Sequence, residues 1–478
     1  MSVNASANVF SIEGKGLKLD TAEDVQDFVN SILEIENLEQ VILSGNTFGV
    51  EAAQAIAGAL KGKDTIRIVN ASDIFTSRLR EEIPHAVKAI CDALEDKEKL
   101  NELNFSDNAF GPAGAEPMVD FLNNNRSLQV LKLNNNGLGV RGGTIIGKAL
   151  LAAANKNVSE GRTSSLRTII AGRNRLENGS SRALADAIAG HGTLTEIRMP
   201  QNGIRPEGIV TLSKGFGACK NLEILDLQDN TFTVTGSVAF AKALVEWPNL
   251  KVLNIGDCLL SEKGGVAIAE ALLLGHNKKL ETLNLQYNEI DSKGVKILAT
   301  AISTHLKNLS SLELNGNKVN PEDISIQNAR SALEDNGHAD ALGELDDMEI
   351  SDEEEDELDE EDTEENEAKL DEEDTTEPVM SKKVTEKVTT EELDVENQKE
   401  STLSKKFEKL SVKELENKED LVEPQLEAQK SEKRSIEAKA AEDKSQEINR
   451  EDQENQLVNS GDQVESLTER ITKVQVLS

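Results

Sequence analysis

Arg78 and Arg80 stand two residues apart in SDIFTSRLREEIP. Guanidiniums so placed can grip a phosphate or an acidic protein surface through paired hydrogen bonds. The same two side chains can instead pair with Glu81 and Glu82 or with a helix end, contacts worth about 0 to 1 kcal/mol at a surface. Chemistry of an enzyme's own kind finds little support. His85, His191, His276, His305 and His338 are scattered, with no HExxH or Cys/His spacing for a metal. No GxxxxGK[ST] phosphate loop is present, and the glycines of EGKGLK lack the strand before and helix after that a phosphate cradle needs. Paired carboxylates are abundant but gather in an acidic run where solvent screens them.

What must position the two arginines is a repeat. Counted from Asn136 in LQVLKLNNNGLG, apolar residues stand eight, five and three positions earlier (Leu128, Leu131, Leu133) and two later (Leu138). Alternation over so short a span predicts a half-buried strand, and the Asn can satisfy turn backbone that an apolar bend would strand. The frame returns at Asn46, Asn108, Asn174, Asn202, Asn230, Cys258, Asn288 and Asn317, with intervals of 28, 28, 28, 30 and 29 residues from Asn174 onward. The 62 residues from Asn46 to Asn108 leave room for one more unit, with Ile66, Val69 and Ala71 in frame and Ile74 where Asn should be. That irregular unit carries Arg78 and Arg80.

Ala-rich amphipathic segments such as KGGVAIAEALLLG follow the turns. A period near 28 accommodates a strand, a turn and a helix, so the expected fold class is α/β: a leucine-rich repeat solenoid, a crescent with parallel β-strands on the concave face and α-helices on the convex face. It should span residues 1–343 in about 10 to 11 repeats, counting an N-terminal cap around Phe10 to Asp20 in which Leu17 and Leu19 alternate. The 38-residue interval before Asn174 predicts an insertion loop from Gly147 to Arg167 at one rim. Residues just before the Asn positions are expected on the concave surface: Gly45, Asp73, Asp107, Asn135, Arg173, Gln201, Asp229, Asp257, Tyr287 and Gly316. Any one of them reads as a solvated face; the whole polar stripe predicts a protein-binding surface.

The chain's formal net charge is −36, and the run Glu344–Glu377 holds 22 Asp or Glu against Lys369 alone. An acidic low-complexity segment is therefore expected over 344–378, and a charged, largely disordered tail with room for short helices over 379–478. Bulk charge of this sign argues against nucleic acid and permits basic partners. Cys91, Cys219 and Cys258 are odd in number and far apart, which suits reduced thiols. Neither a secretion signal nor an apolar stretch of membrane-spanning length is seen, so no membrane partner is expected.

Several motifs exceed what a generic repeat demands: FSIEGKGLKLD, SGNTFG, SDIFTSR, NNGLG, GRNRLENGS, QNGIRPEGI, LQYNEI and GELDDMEISDEEEDE. Across roughly residues 10–365 the sequence resembles the Ran GTPase-activating proteins, especially the fungal type. The resemblance implies a non-enzyme activator that binds Ran in its GTP-bound form, with or without a Ran-binding protein, and supports nucleocytoplasmic transport from the cytoplasm. It implies no cofactor of the chain's own, since GTP and magnesium are carried by Ran, and a monomer is expected. Partners can raise GTPase rates by about 10⁵, by an arginine finger or by ordering the glutamine that positions attacking water. The family is understood to order the glutamine.

By that resemblance Asn135 touches Ran's catalytic glutamine, Asn136 keeps the repeat's turn, and Arg78 serves Ran binding and orientation. Arg80, Arg173 and Arg175 are implied contacts, with Asp73, Asp107, Asp229, Asp257 and Tyr287 as further partner-binding residues. The alternative is an acidic-tailed leucine-rich repeat histone-binding chaperone, or a plain scaffold.

Overall fold

The structure, a computed structural model, describes residues 8–348. Eleven parallel strands make one sheet whose spatial order follows the sequence, from Val9–Ser11 to Ser311–Glu313. Each strand is three residues long, and the register is fixed by its middle residue: Leu103, Leu131, Ile169 and Ile197 lie opposite one another and all are buried. The flanking strand residues are half-buried, as alternation requires, apart from the buried Thr168. Helices follow most strands and pack in a single layer. Neighbouring strands sit about 4.8 Å apart and packed helices about 8 to 10 Å apart, so the array must curve with the sheet on its inner side.

The repeat's Asn explains how so short a strand can end in a tight turn. Asn136 donates through Nδ2 to the carbonyls of Phe105 and Leu133 at 2.9 and 3.0 Å, and its Oδ1 accepts from the Asn108 N–H at 3.0 Å. Its own N–H donates to Oδ1 of Asn174 at 3.0 Å, and the pattern continues through Asn174 and Asn202. The predicted extra unit is present as the strand Ile68–Asn70, with Ile66, Val69, Ala71 and Ile74 all buried. Ile74 cannot take the Asn role and fills core instead.

Two expectations are corrected. The 38-residue interval is not an insertion loop: the helix Gly139–Ser159 runs 21 residues, and only the following turn is irregular. Helical spacing of small residues made this possible, because a Cβ on Gly147 would stand 2.8 Å from the Ala183 carbonyl carbon of the next helix. The cap strand is Val9–Ser11, with Phe10 and Ile12 in the core, while Lys18–Leu19 pairs with Thr47–Phe48 in a separate two-stranded sheet. The array closes where Leu342 bridges to Leu312. The acidic segment beyond residue 348 and the tail over 379–478 lie outside the described residues. No described helix is long and apolar enough to cross a membrane.

Candidate functional site

The polar stripe does not sit on the strands. Asn135 lies three residues past the strand Val130–Lys132, in the loop that leads into the next helix, and its counterparts occupy the same place in each repeat. All ten take positive φ: Gly45 and Gly316 at about 70°, and Asp73, Asp107, Asn135, Arg173, Gln201, Asp229, Asp257 and Tyr287 between 48° and 63°. Glycine adopts this left-handed backbone freely, Asn and Asp tolerate it, and other side chains are held there at a cost of roughly 1 to 2 kcal/mol. Arg173, Arg175, Gln201 and Tyr287 thus keep large side chains where backbone energy favours none. Strain of this kind concentrates where side chains have a function.

A backbone ladder strings these positions into a rim. The N–H of Asp107 donates to the Asn134 carbonyl at 2.8 Å, that of Asn135 to Gly172 at 2.9 Å, and that of Arg173 to Pro200 at 2.9 Å. Successive stripe residues are therefore one strand spacing apart. Asp107 and Asn135 are both exposed, and Nδ2 of Asn135 donates to Oδ1 of Asp107 at 3.1 Å. Among the described residues Oδ1 of Asn135 takes no hydrogen bond. A carboxylate that holds one amide N–H fixes the amide plane and leaves an acceptor and a second N–H for another primary amide. Sequence reasoning gave Asp107 to a basic patch on the partner; the structure gives it to Asn135. An aspartate and an asparagine one repeat apart at equivalent positions were the signal available for that pairing.

Arg80, Arg173 and Arg175 are exposed and their side chains form no hydrogen bond or ion pair among the described residues, so this rim presents free cations on an acidic chain. Gln201 donates to Asp229 at 2.7 Å, and Thr76 donates to Asp73 at 2.6 Å. Asp257 is exposed beside them. Tyr287 is already engaged within the chain: its hydroxyl donates to Asp347 at 2.6 Å, and Asp347 also accepts from Asn315 at 3.1 Å. The Asp347 carboxylate, by that hydrogen bond, pushes the Tyr287 phenol above its ordinary value. The first acidic residues thus lie against the same rim.

Arg78 departs most from expectation. Its side chain is 8% exposed, and it pairs with neither Glu81 nor Glu82. Nε donates to the Thr47 hydroxyl at 2.8 Å, Nη2 to the carbonyls of Thr47 and Leu19 at 2.8 and 3.1 Å, and Nη1 to the Asp20 carboxylate. Arg78, and after it Lys18, holds the Asp20 carboxyl below the usual carboxylate range. The guanidinium thereby fastens the two-stranded cap sheet to the irregular unit. Gly49 makes room, since a Cβ there would stand 2.6 Å from the Asp20 carbonyl oxygen and 3.3 Å from Nη1.

Comparison with known proteins bears on the repeat fold and the family. A family described as Leucine Rich repeat matches residues 97–119, 124–146, 218–241 and 276–299. Ran GTPase-activating protein 1 of Saccharomyces cerevisiae is 36% identical over 336 residues, 68% of this chain and 82% of that protein. Ran GTPase-activating protein 1 of Xenopus laevis is 46% identical over 207 residues, 42% of this chain and 36% of that protein. The Ran GTPase-activating protein of Drosophila melanogaster is 44% identical over 318 residues, 65% of this chain. The match thus spans about a third of the frog protein's length and 52% of the fly protein's.

Proposed function

Because the chain belongs to the Ran GTPase-activating proteins, we propose that it binds the GTP-bound form of Ran through the strand-to-helix rim and accelerates hydrolysis there. The observation that carries the reading is the exposed Asn135 amide, oriented by Asp107 on that rim. Ran's catalytic glutamine is also a primary amide. Asn135 Oδ1 can accept from it while the remaining N–H donates back, holding the glutamine where it aligns the attacking water. GTP, magnesium and bond-breaking stay with Ran, and the rim supplies position.

Arg78 enters as a positioning residue, because four of its five N–H donors are engaged on the cap and its side chain is largely buried there. Arg80, Arg173 and Arg175 are the cations left to meet Ran directly, and Asp73, Asp229 and Asp257 meet its basic side chains. Such an activity places the protein in the cytoplasm, where Ran is returned to its GDP form. The chaperone reading rests on the acidic run alone and draws nothing from the rim. The deciding experiment is single-turnover GTP hydrolysis by Ran with and without this chain. Acceleration by several orders of magnitude is expected, and a rate equal to Ran's own would sink the reading.

A further inference from the structure

The rim opposite the stripe, where helices lead back into strands, holds a cleft of about 650 Å³. It crosses three consecutive turns. The first, ahead of Glu102–Asn104, carries Glu95, Asp96 and Glu98; the second, ahead of Val130–Lys132, carries Arg126; the third, ahead of Thr168–Ile170, carries Arg162. The long helix Gly139–Ser159 delivers that third turn, so the feature belongs to the longest repeat.

Arg126 is poorly satisfied. Its side chain is 13% exposed, yet its only hydrogen bond among the described residues is Nη1 to its neighbour's carbonyl, Asn125, at 3.3 Å. Glu160 stands 3.8 Å from Nε and 3.9 Å from Nη1 of Arg162, beyond hydrogen-bond reach of both. A guanidinium offers five N–H donors, and leaving most of them unmatched out of water is costly. Directly behind, a cavity of about 20 Å³ shares Asn125, Arg126 and Ser165 with the cleft, and it is lined by His191, whose buried Nε2 has no partner. Arg126 thus has N–H donors to spare beside a polar pocket. An oxyanion of a carboxylate or phosphate matches two guanidiniums in geometry as well as charge.

The turn at the other end leans acidic: Lys97 in the same lining stands 3.8 Å from Asp96 and Asn124 donates to Glu95 at 2.6 Å, while Glu98 keeps a carboxylate with no hydrogen bond or ion pair among the described residues. Strand spacing of about 4.8 Å puts the outer two turns about 10 Å apart, the span of three residues of extended chain at roughly 3.3 Å each. We propose that this cleft binds a short extended peptide of a partner protein, seating a carboxylate or phosphate against Arg126 and Arg162 and a basic side chain three residues away against Glu95, Asp96 and Glu98.

Fluorescence anisotropy of the full chain with labelled peptides tests this. Three peptides share one lysine and differ three residues later, where they carry glutamate, phosphoserine or glutamine. Saturable binding of the glutamate or the phosphoserine peptide is expected, at least tenfold tighter than the glutamine peptide, and which of the two binds tells carboxylate from phosphate. Arg126→Met and Arg162→Ala should each weaken binding tenfold or more. Because Arg162 is exposed, its variant carries the test if Arg126→Met loses its thermal transition. Equal binding of the glutamine peptide, indifference to Arg162→Ala, or no saturable binding of either anionic peptide would overturn the proposal. Ran hydrolysis should be unchanged by Arg162→Ala, which keeps this outcome separate from the reading of the opposite rim.

Discussion

Asn135 and Asn136 are adjacent and chemically identical, and the fold gives them opposite work. Asn136 is fully buried and bonds three backbone groups; Asn136→Ala strands the Asn108 N–H and removes one of two amide donors from the Phe105 and Leu133 carbonyls, which Asn108 and Asn174 still reach. At about 1 to 3 kcal/mol for the stranded N–H and about 1 kcal/mol for each of the two lost bonds, the expected loss is roughly 3 to 5 kcal/mol, read from urea unfolding. Asn135 is best replaced by glycine, because alanine at φ 52° would add strain to the loss of the amide. Asn135→Gly should leave the urea midpoint within about 0.5 kcal/mol of the parent. His191 offers a further prediction at this scale. Burial lowers its imidazole from 6.5 to about 4, so the unfolded chain takes up a proton as pH falls through that window and the folded chain does not. Stability should therefore drop between about pH 6.5 and 4, and His191→Gln should reduce that drop by roughly 2 to 3 kcal/mol.

At the scale of the element, the Asn ladder has a second gap at Cys258. Its thiol, pushed up to about 12 by burial, stays protonated and donates to the Leu227 and Gly256 carbonyls at 3.4 Å. A thiol replaces the amide's donor but not its Oδ1, which in the preceding repeats accepts the neighbouring Asn N–H. Cys258→Asn should restore that bond to Asn230 and raise stability by about 1 kcal/mol, measured by denaturant unfolding. Strand positions were legible in the sequence because one buried residue per strand fixes a frame of about 28. The loops were not, since a repeat frame says which residue precedes the Asn but not that it is left-handed. Thus the stripe from Asp73 to Tyr287 was expected on the sheet face and lies on the rim. The helix Gly139–Ser159 was hidden for a related reason: Gly142, Gly143 and Gly147 in its interior resemble loop residues until the neighbouring elements are seen to crowd them.

For the whole repeat array, the unexpected feature is a cap fastened by a residue 58 positions away, Arg78 to Asp20. No periodic pattern can reveal a contact between a cap and an irregular unit. Arg78→Lys keeps the charge but cannot supply donors in four directions. Hydrogen exchange should therefore quicken around Lys18–Leu19 and Thr47–Phe48 in that variant while strands beyond Glu102 stay protected. Equal protection at both ends would contradict the fastening role. The central claim, that the oriented Asn135 amide supplies the acceleration, is tested most directly by single-turnover GTP hydrolysis by Ran across a range of Asn135→Gly concentrations. The account predicts a maximal rate lowered by roughly 10²-fold with a little-changed half-saturating concentration; a maximal rate equal to the parent's would contradict it.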